Sequence, residues 1–380
     1  VAQYAQPDGR LERLQAYRAG EAKSPLQDLN YEYDRVGNVT RIRDNAQPVQ
    51  WSFNAQVDPV STFTYDTLYQ LASASGRENA NNSPSPALSE LKLFGVKDDT
   101  VWRNYRQVYA YDEAGNLTQL RHHVKTGSGY RRTLAVASTS NHGVLHDDEA
   151  VTPQTPGLGS AFDRNGNQLS LGRGQALQWS VNNHLLSVTL VHRTDARNDE
   201  EAYTYDAAGQ RVQKVRTTLA ASRVHTRSVL YLPGLEIRED TATGEQLNVI
   251  TVQTGLSGVR VLQWDRSRIN TEADTQLRFS LADLSGSTTL ELDGHGQLIT
   301  QESYYPFGAT AWWAARTALQ ATYKTVRYSG KEQDASGLYY YGFRYYAPWL
   351  QRWINPDPAG AVDGLNRYVM VGNNPVSKRD

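Results

Sequence analysis

Polar and apolar residues alternate along this chain in short runs, and they seldom recur at helical spacing. Leu177-Gln178-Trp179-Ser180-Val181 and Val259-Arg260-Val261-Leu262-Gln263-Trp264 put every second side chain on one face, as a half-buried strand requires. The alternation is organised by a recurring phrase. It reads Tyr31-Glu32-Tyr33-Asp34-Arg35-Val36-Gly37-Asn38-Val39-Thr40-Arg41-Ile42-Arg43 and returns at Tyr109 to Leu120, Ala161 to Leu169 and Tyr203 to Val212. A variant, Phe63-Thr64-Tyr65-Asp66-Thr67-Leu68-Tyr69-Gln70-Leu71, has no glycine. In each copy aromatic-x-aromatic is one face of a strand. Asp starts a turn by bonding its side chain to backbone two residues on, and the glycine accepts positive φ. The alternating residues that follow are the returning strand, so the unit is a β-hairpin.

Two stretches depart from this pattern. Leu11, Leu14 and Tyr17 predict a short helix over Arg10 to Arg18, and the Ala/Trp-rich stretch from Ala309 to Tyr323 is a second helical candidate. Glu78 to Pro86 and Leu145 to Gly159 read as surface loops, because the hairpin phrase resumes after each. The copies recur at irregular intervals, which argues against a strict solenoid or propeller. Residues 1–326 therefore form one continuous run of strands, and 327–380 a distinct closing block. In that block Tyr339-Tyr340-Tyr341-Gly342-Phe343-Arg344-Tyr345-Tyr346 demands a large surface to pack against. Pro356-Asp357-Pro358 then restricts the backbone around Asp357.

Composition narrows the function classes. A net charge of −1 over 380 residues leaves no electrostatic footprint for nucleic acid or an anionic membrane. The longest apolar runs, such as Leu185 to Val191, are strand-sized, so no membrane-spanning helix is expected. The absence of Cys excludes disulfides, thiolate metal sites and Cys nucleophiles. The chain opens at Val1, has Met370 as its sole methionine and shows no signal-like segment, and so reads as a piece of a longer polypeptide. Tyr (23) outnumbers Phe (7), which suits strands with one dry face and a wet rim. The tyrosines could form a sugar-binding face, but core packing is the preferred reading. His122-His123 has no third ligand at useful spacing and reads as solvated strand, and the repeat aspartates are dispersed, so no metal or other cofactor is expected. No Gly-x-Ser-x-Gly elbow supports serine hydrolysis.

The Tyr-Asp phrases, the Tyr304-Tyr305-Pro306-Phe307-Gly308 corner and the block from Gly337 to Pro358 together resemble the Rhs/YD-repeat family. The continuation Ala359 to Tyr368, then Asn373-Asn374-Pro375, is similar to the C component of the bacterial insecticidal toxin complexes, the Tc toxins. The resemblance implies a mainly β fold: a long spiralling sheet of YD-repeat hairpins forming part of a hollow shell, closed by an Rhs-associated core domain. It implies that the shell encloses a C-terminal toxin segment and that the core releases it as a self-cleaving aspartic-type protease. The family's catalytic positions are matched by Arg344, Asp357 and Asp380, with the cut expected just after Asp380. It further implies a B component (or the N-terminal half of the same shell) as closing partner, a pore-forming A component acting indirectly, and a secreted or surface-associated bacterial protein.

As chemistry, two adjacent carboxylates cannot both ionise freely, so Asp357 and Asp380 would share a proton. One would activate water and the other protonate the leaving group, with Arg344 orienting a partner through a bidentate contact. Pro-Asp-Pro is also ordinary turn chemistry, and Asp363 is a rival carboxylate in a Val-Asp-Gly turn. No tight pocket is expected away from Asp357. Two other functions remain open: an interbacterial Rhs effector shell, and a non-proteolytic surface-display or glycan-binding Rhs protein.

Overall fold

The computed structural model describes residues 1–18, 20–21, 24–81, 90–95, 101–146, 158–171, 175–254, 257–266 and 274–380. The loop tips expected within 78–86 and 145–159 lie mostly outside these residues.

Each repeat phrase folds as a hairpin around one carboxylate. The Asp34 side chain accepts through Oδ1 from the N–H groups of Val36, Gly37 and Asn38 at 3.0, 2.8 and 2.8 Å. Its backbone N–H donates to Asn38 O at 2.9 Å, and Gly37, at φ 104°, closes the turn. Asp66, Asp112, Asp163 and Asp206 each accept in the same way from the N–H two and four residues on. In the glycine-free copy Tyr69 takes the left-handed conformation itself, at φ 61°, a strained one for a bulky residue. The pairing register slips at the aromatic before each Asp: Glu32 faces Arg41, but Tyr33 faces Val39. The same slip occurs at Tyr65, Tyr111, Tyr205 and Tyr304. The bulge at each of these hairpins adds local twist to the sheet.

Stacked hairpins make two antiparallel meanders. One has ten strands, from Ala2–Tyr4 to Gly143–Leu145; the other runs from Leu177–Trp179 to Thr310–Ala315. The short strand Lys92–Leu93 leaves the first half and pairs in parallel with Thr310–Ala315, as the thirteenth strand of the second sheet. No closed barrel forms among the described residues. Neighbouring hairpins are stitched by tyrosine. Tyr33, Tyr65, Tyr111 and Tyr205 donate their O–H to Leu11 O, Val39 O, Leu71 O and Leu185 O at 2.7, 2.7, 2.8 and 2.8 Å. Each acceptor opens a strand of the preceding hairpin. The excess of Tyr over Phe thus reflects hydroxyls bonding backbone within the wall more than a wet rim.

Three expectations fail here. Arg10 to Arg18 is not helical: Leu11–Tyr17 is a strand paired on both sides. An isolated helix that short is marginal, and two ladders of backbone hydrogen bonds outweigh its propensity. Within Ala309 to Tyr323 only Ala318–Thr322 is helical, capped by the Thr317 hydroxyl; Thr310–Ala315 is a strand buried on both faces. His122 is buried rather than solvated. It stacks on Tyr130 at 4.6 Å with Nε2 3.2 Å from Glu78, and only His123 faces solvent.

The closing block is a small sheet of Glu332–Gln333, Tyr339–Tyr340, Tyr345–Ala347 and Arg352–Trp353. Leu338, Tyr345 and Ile354 pack with Leu185, Val188 and Tyr203 of the second sheet. Tyr339, Tyr346 and Trp353 pack with Tyr328 and Met370. Tyr346 donates to Phe307 O at 2.8 Å, and Phe307 belongs to the core of the first sheet, so the block grips both walls. Beneath the Tyr340 ring, Arg211 reaches Asp334 and Glu332 at 2.7 and 2.6 Å, and Lys214 reaches the same pair at 2.8 and 2.7 Å. Burial alone would raise Glu332, but Lys214, Arg211 and Arg238 hold it well below its ordinary value.

Replacing Tyr111 by Phe removes a donor from Leu71 O and should cost about 1 kcal/mol in urea unfolding. Asp334→Ala leaves two buried cations, Arg211 and Lys214, sharing Glu332 alone and should cost about 3 kcal/mol in urea unfolding. Because the native pKa of Glu332 is depressed, its contribution is complete above the ordinary value of 4.5 and is lost as pH falls through the native value. The stability gap between the natural chain and Glu332→Gln should therefore narrow as pH drops below 4.5, measured by urea unfolding across pH.

Candidate active site

Arg344 ends the tight connection between Tyr339–Tyr340 and Tyr345–Ala347, where the Tyr341 N–H donates to Arg344 O at 2.9 Å. Its neighbour Tyr345 is buried in the second-sheet core, so Arg344 points to the opposite side. Its guanidinium carbon lies over Trp353, 4.0 Å from the ring centroid. That contact holds the charged group against the ring while its N–H donors remain available.

The fork joins the two candidate carboxylates. Nη1 donates to Asp357 Oδ2 at 2.6 Å, and Nη2 donates to Asp380 Oδ1 at 2.9 Å. Arg344 and Asp357 are largely shielded, with 13% and 18% of their side chains exposed, whereas Asp380 is an exposed residue with 32% of its side chain accessible. Asp357 is a turn residue as well: Oδ1 accepts from Ala359 N–H at 2.8 Å, and its backbone N–H donates to Arg367 O at 3.1 Å. One oxygen builds the corner and the other meets Arg344. The structure brings the two carboxylates together through the arginine. Each carboxylate takes one nitrogen of the same guanidinium, so a single positive charge serves two negative ones.

A cavity of about 370 Å³ opens beside this bridge, lined by Arg344, Asp363, Val369, Val371, Lys378, Arg379 and Asp380. Asp357 backs the arginine without lining the cavity. Asp363 lines it but takes neither of Arg344's bonds to carboxylate. Lys331 adds a further positive charge, with Nζ 4.8 Å from the centre of the Tyr341 ring. Burial pushes this lysine below its ordinary value, against the pull of Asp380 and alongside the repulsion of Arg379. A second cavity, of about 220 Å³, lies between the sheets away from Asp357, lined among others by Arg77, Trp102, Tyr105 and Trp312. No cluster of side chains suited to a metal occurs among the described residues.

Sequence reasoning missed what carries Asp380 to this place. Residues 366–380 cross the hairpin turns and are held there by Asn366, Asn373, Asn374 and Ser377. Asn373-Asn374 is visible in the sequence as a pair, but their partners are not.

No family model matches the chain. It is 43% identical to toxin subunit YenC2 of Yersinia entomophaga over 98% of its own length and 38% of that protein's. Its fold superimposes on the crystal structure of TcdB2-TccC3-Cdc42 with a TM-score of 0.93 at 42% identity. It matches the Photorhabdus luminescens Tc holotoxin pore with a TM-score of 0.92 at 44% identity. In both cases all of this chain is covered, against 18% of the solved one. The hairpin walls are those of an Rhs shell, and the chain is a homologue of the Tc toxin C components, within the Rhs-type toxin proteins.

Proposed function

We propose that this chain is the closing part of an Rhs shell in a Tc-type toxin complex, and that it cuts its own backbone once, just beyond Asp380. The observation that carries the cleavage reading is the single guanidinium bridging Asp357 and Asp380 at 2.6 and 2.9 Å beside an open cavity. Water adds to the scissile carbonyl carbon while one carboxylate takes its proton. The other delivers a proton to the departing amine nitrogen as the C–N bond breaks. Arg344 holds both groups in place through one guanidinium and so fixes where each can act. Asp357, anchored on both oxygens, is the fixed member; Asp380, held on one, stands next to the bond to be cut.

The shell reading is supported by the match to TcdB2-TccC3 structures, and a B-type shell half is the partner kind it favours. The cargo is the chain's own C-terminal segment, and secretion as part of the complex follows from the same reading. Among the described residues no helix is long and apolar enough to cross a membrane.

The test is a chain extended past Asp380 and produced with its shell partner, compared with Asp357→Asn on denaturing gels and by intact mass. The natural chain should appear as two co-eluting fragments and the variant as one polypeptide. If both stay whole although folded with the partner, the constellation does not cut. Arg344→Lys keeps the charge but loses the fork and should slow cleavage by about a hundredfold, by misplacing one carboxylate. A bell-shaped pH dependence of the cleavage rate should accompany the natural chain.

A further inference from the structure

The segment that delivers Asp380 lies along a row of hairpin turns. Asn366 Nδ2 donates to Ala114 O and Asn116 Oδ1 at 2.9 and 2.8 Å. The Tyr368 hydroxyl donates to Gly166 O at 2.8 Å. Asn373 Nδ2 donates to Gln70 Oε1 and Gly115 O at 2.8 and 2.7 Å, and Asn374 Nδ2 donates to Asn38 Oδ1 at 2.8 Å. Ser377 Oγ accepts from Val39 N–H at 2.9 Å. Arg379 lies so close over Gly286 that a β-carbon there would sit 2.9 Å from Nη2. The strap thus touches the turns at Asp34, Asp66, Asp112 and Asp163 in the first part of the chain and the turn at Asp283 in the second sheet.

These contacts are matched to the turns themselves. The carbonyls of Ala114, Gly115 and Gly166 belong to residues inside the repeat turn, and Asn38, Gln70 and Asn116 occupy the position that closes it. Asn373 and Asn374 are buried, at 3% and 0% exposure, and a buried amide without its partners is costly. Asn373 also holds φ at 59°, which asparagine tolerates better than most residues. Asn374 carries the link forward: its side chain accepts from Ser377 N–H at 3.3 Å, and its carbonyl accepts from Lys378 N–H at 3.1 Å. Two residues later the chain reaches Asp380 and the bond to Arg344.

We infer that Asn373 and Asn374 are positioning residues that make self-cleavage conditional on the finished wall: Asp380 meets Arg344 only when the turns at Asp34, Asp66 and Asp112 stand in register. This rests on the reading that Arg344, Asp357 and Asp380 cut the chain. Where the first turns have not stacked, Asn38, Gln70 and Asn116 do not stand together to receive the strap's asparagines, and the strap then carries Asp380 away from the fork. An incomplete shell would in this way keep its cargo attached.

The test follows the full chain, extended past Asp380, during cell-free synthesis with its shell partner. Two quantities are read: resistance to added protease, which reports the folded wall, and the first-order rate of self-cleavage. Asn373→Ala and Asn374→Ala should reach protease resistance yet cleave about a hundredfold more slowly, the scale expected for a small misplacement of a reacting group. The pH profile should keep its shape, since both carboxylates remain. Asp293→Asn, which weakens a turn that makes no hydrogen bond to the strap, should cleave at the natural rate. Cleavage of the two asparagine variants at the natural rate, or equal slowing in Asp293→Asn, overturns the inference while leaving the cleavage reading intact. Should either asparagine variant fail to become resistant, Ser377→Ala decides by the same criteria, because it loosens the strap and spares both asparagines. A natural chain that stays whole, or an Asp357→Asn chain that is cut, overturns the cleavage reading and the inference with it.

Discussion

The structure depends on a carboxylate that captures backbone N–H groups within its own turn. In the Asp34 turn one oxygen takes three such donors, and Asn38 Nδ2 completes the set on the other at 2.8 Å. Groups that would otherwise need water are satisfied locally, so the turn can lie beneath another layer of protein. The same capture fixes where the returning strand begins, and hence the register slip at the aromatic before the Asp. With both settled, the hydroxyl of that tyrosine falls on a carbonyl of the preceding hairpin. A wall built this way needs no helix between its strands, because each hairpin is bonded to its neighbour by ladder and by side chain. Each bulge adds twist, which curves a long meander instead of letting it lie flat.

The closing block converts that wall into a platform for Arg344. Its aromatic rings fill the space between the sheets, and its hydroxyls bond backbone on the Tyr-Tyr-Pro-Phe corner and hydroxyl on the second sheet, as with Tyr346 on Phe307 O and Tyr345 on Tyr205. The Arg211, Lys214, Glu332 and Asp334 cluster is geometrically strict, since a buried ion pair is tolerated only when each member is met by several partners. Such a cluster contributes little net stability against an apolar substitute of the same volume. What it does provide is four short bonds that tie Glu332 and Asp334 of the block to Arg211 and Lys214 of the second sheet. Trp353, packed in the aromatic cluster with Tyr339 and Tyr346, lies under the Arg344 guanidinium, so the arginine rests on the packing beneath it.

The hairpins were legible where an aromatic residue directly precedes the turn Asp, as at Asp34, Asp66, Asp112, Asp163 and Asp206, because that chemistry is local. The same backbone turn recurs at Asp283, Asp293 and Asp334 without the aromatic, and at Ser180, Tyr305 and Arg327, where a different residue opens it. Leu11–Tyr17 was misread because three apolar residues at helical spacing carry no information about the two strands that flank them in space. The candidate carboxylates were reached through resemblance, since local chemistry marks Asp357 as a turn residue, and it is one. Asn373 and Asn374 were unreadable for another reason: their partners Gln70 and Asn38 lie 303 and 336 residues away. Only the folded wall brings those amides together.

That separation explains why the turn role and the chemical role of Asp357 belong together. A carboxylate meant to face a second carboxylate has to be held against repulsion, and a flexible side chain would simply swing into solvent. Asp357 is prevented from doing so because Oδ1 is committed to the Ala359 N–H while Oδ2 meets the arginine. Asp380 has no such local anchor, and its only hydrogen-bonded partner among the described side chains is Arg344. Its position must therefore come from the strap, and the strap's position comes from turns built by aspartates in the opening half of the chain. The residue type that folds the wall is thus the residue type that the site uses, with local capture of the carboxylate in one case and long-range delivery in the other.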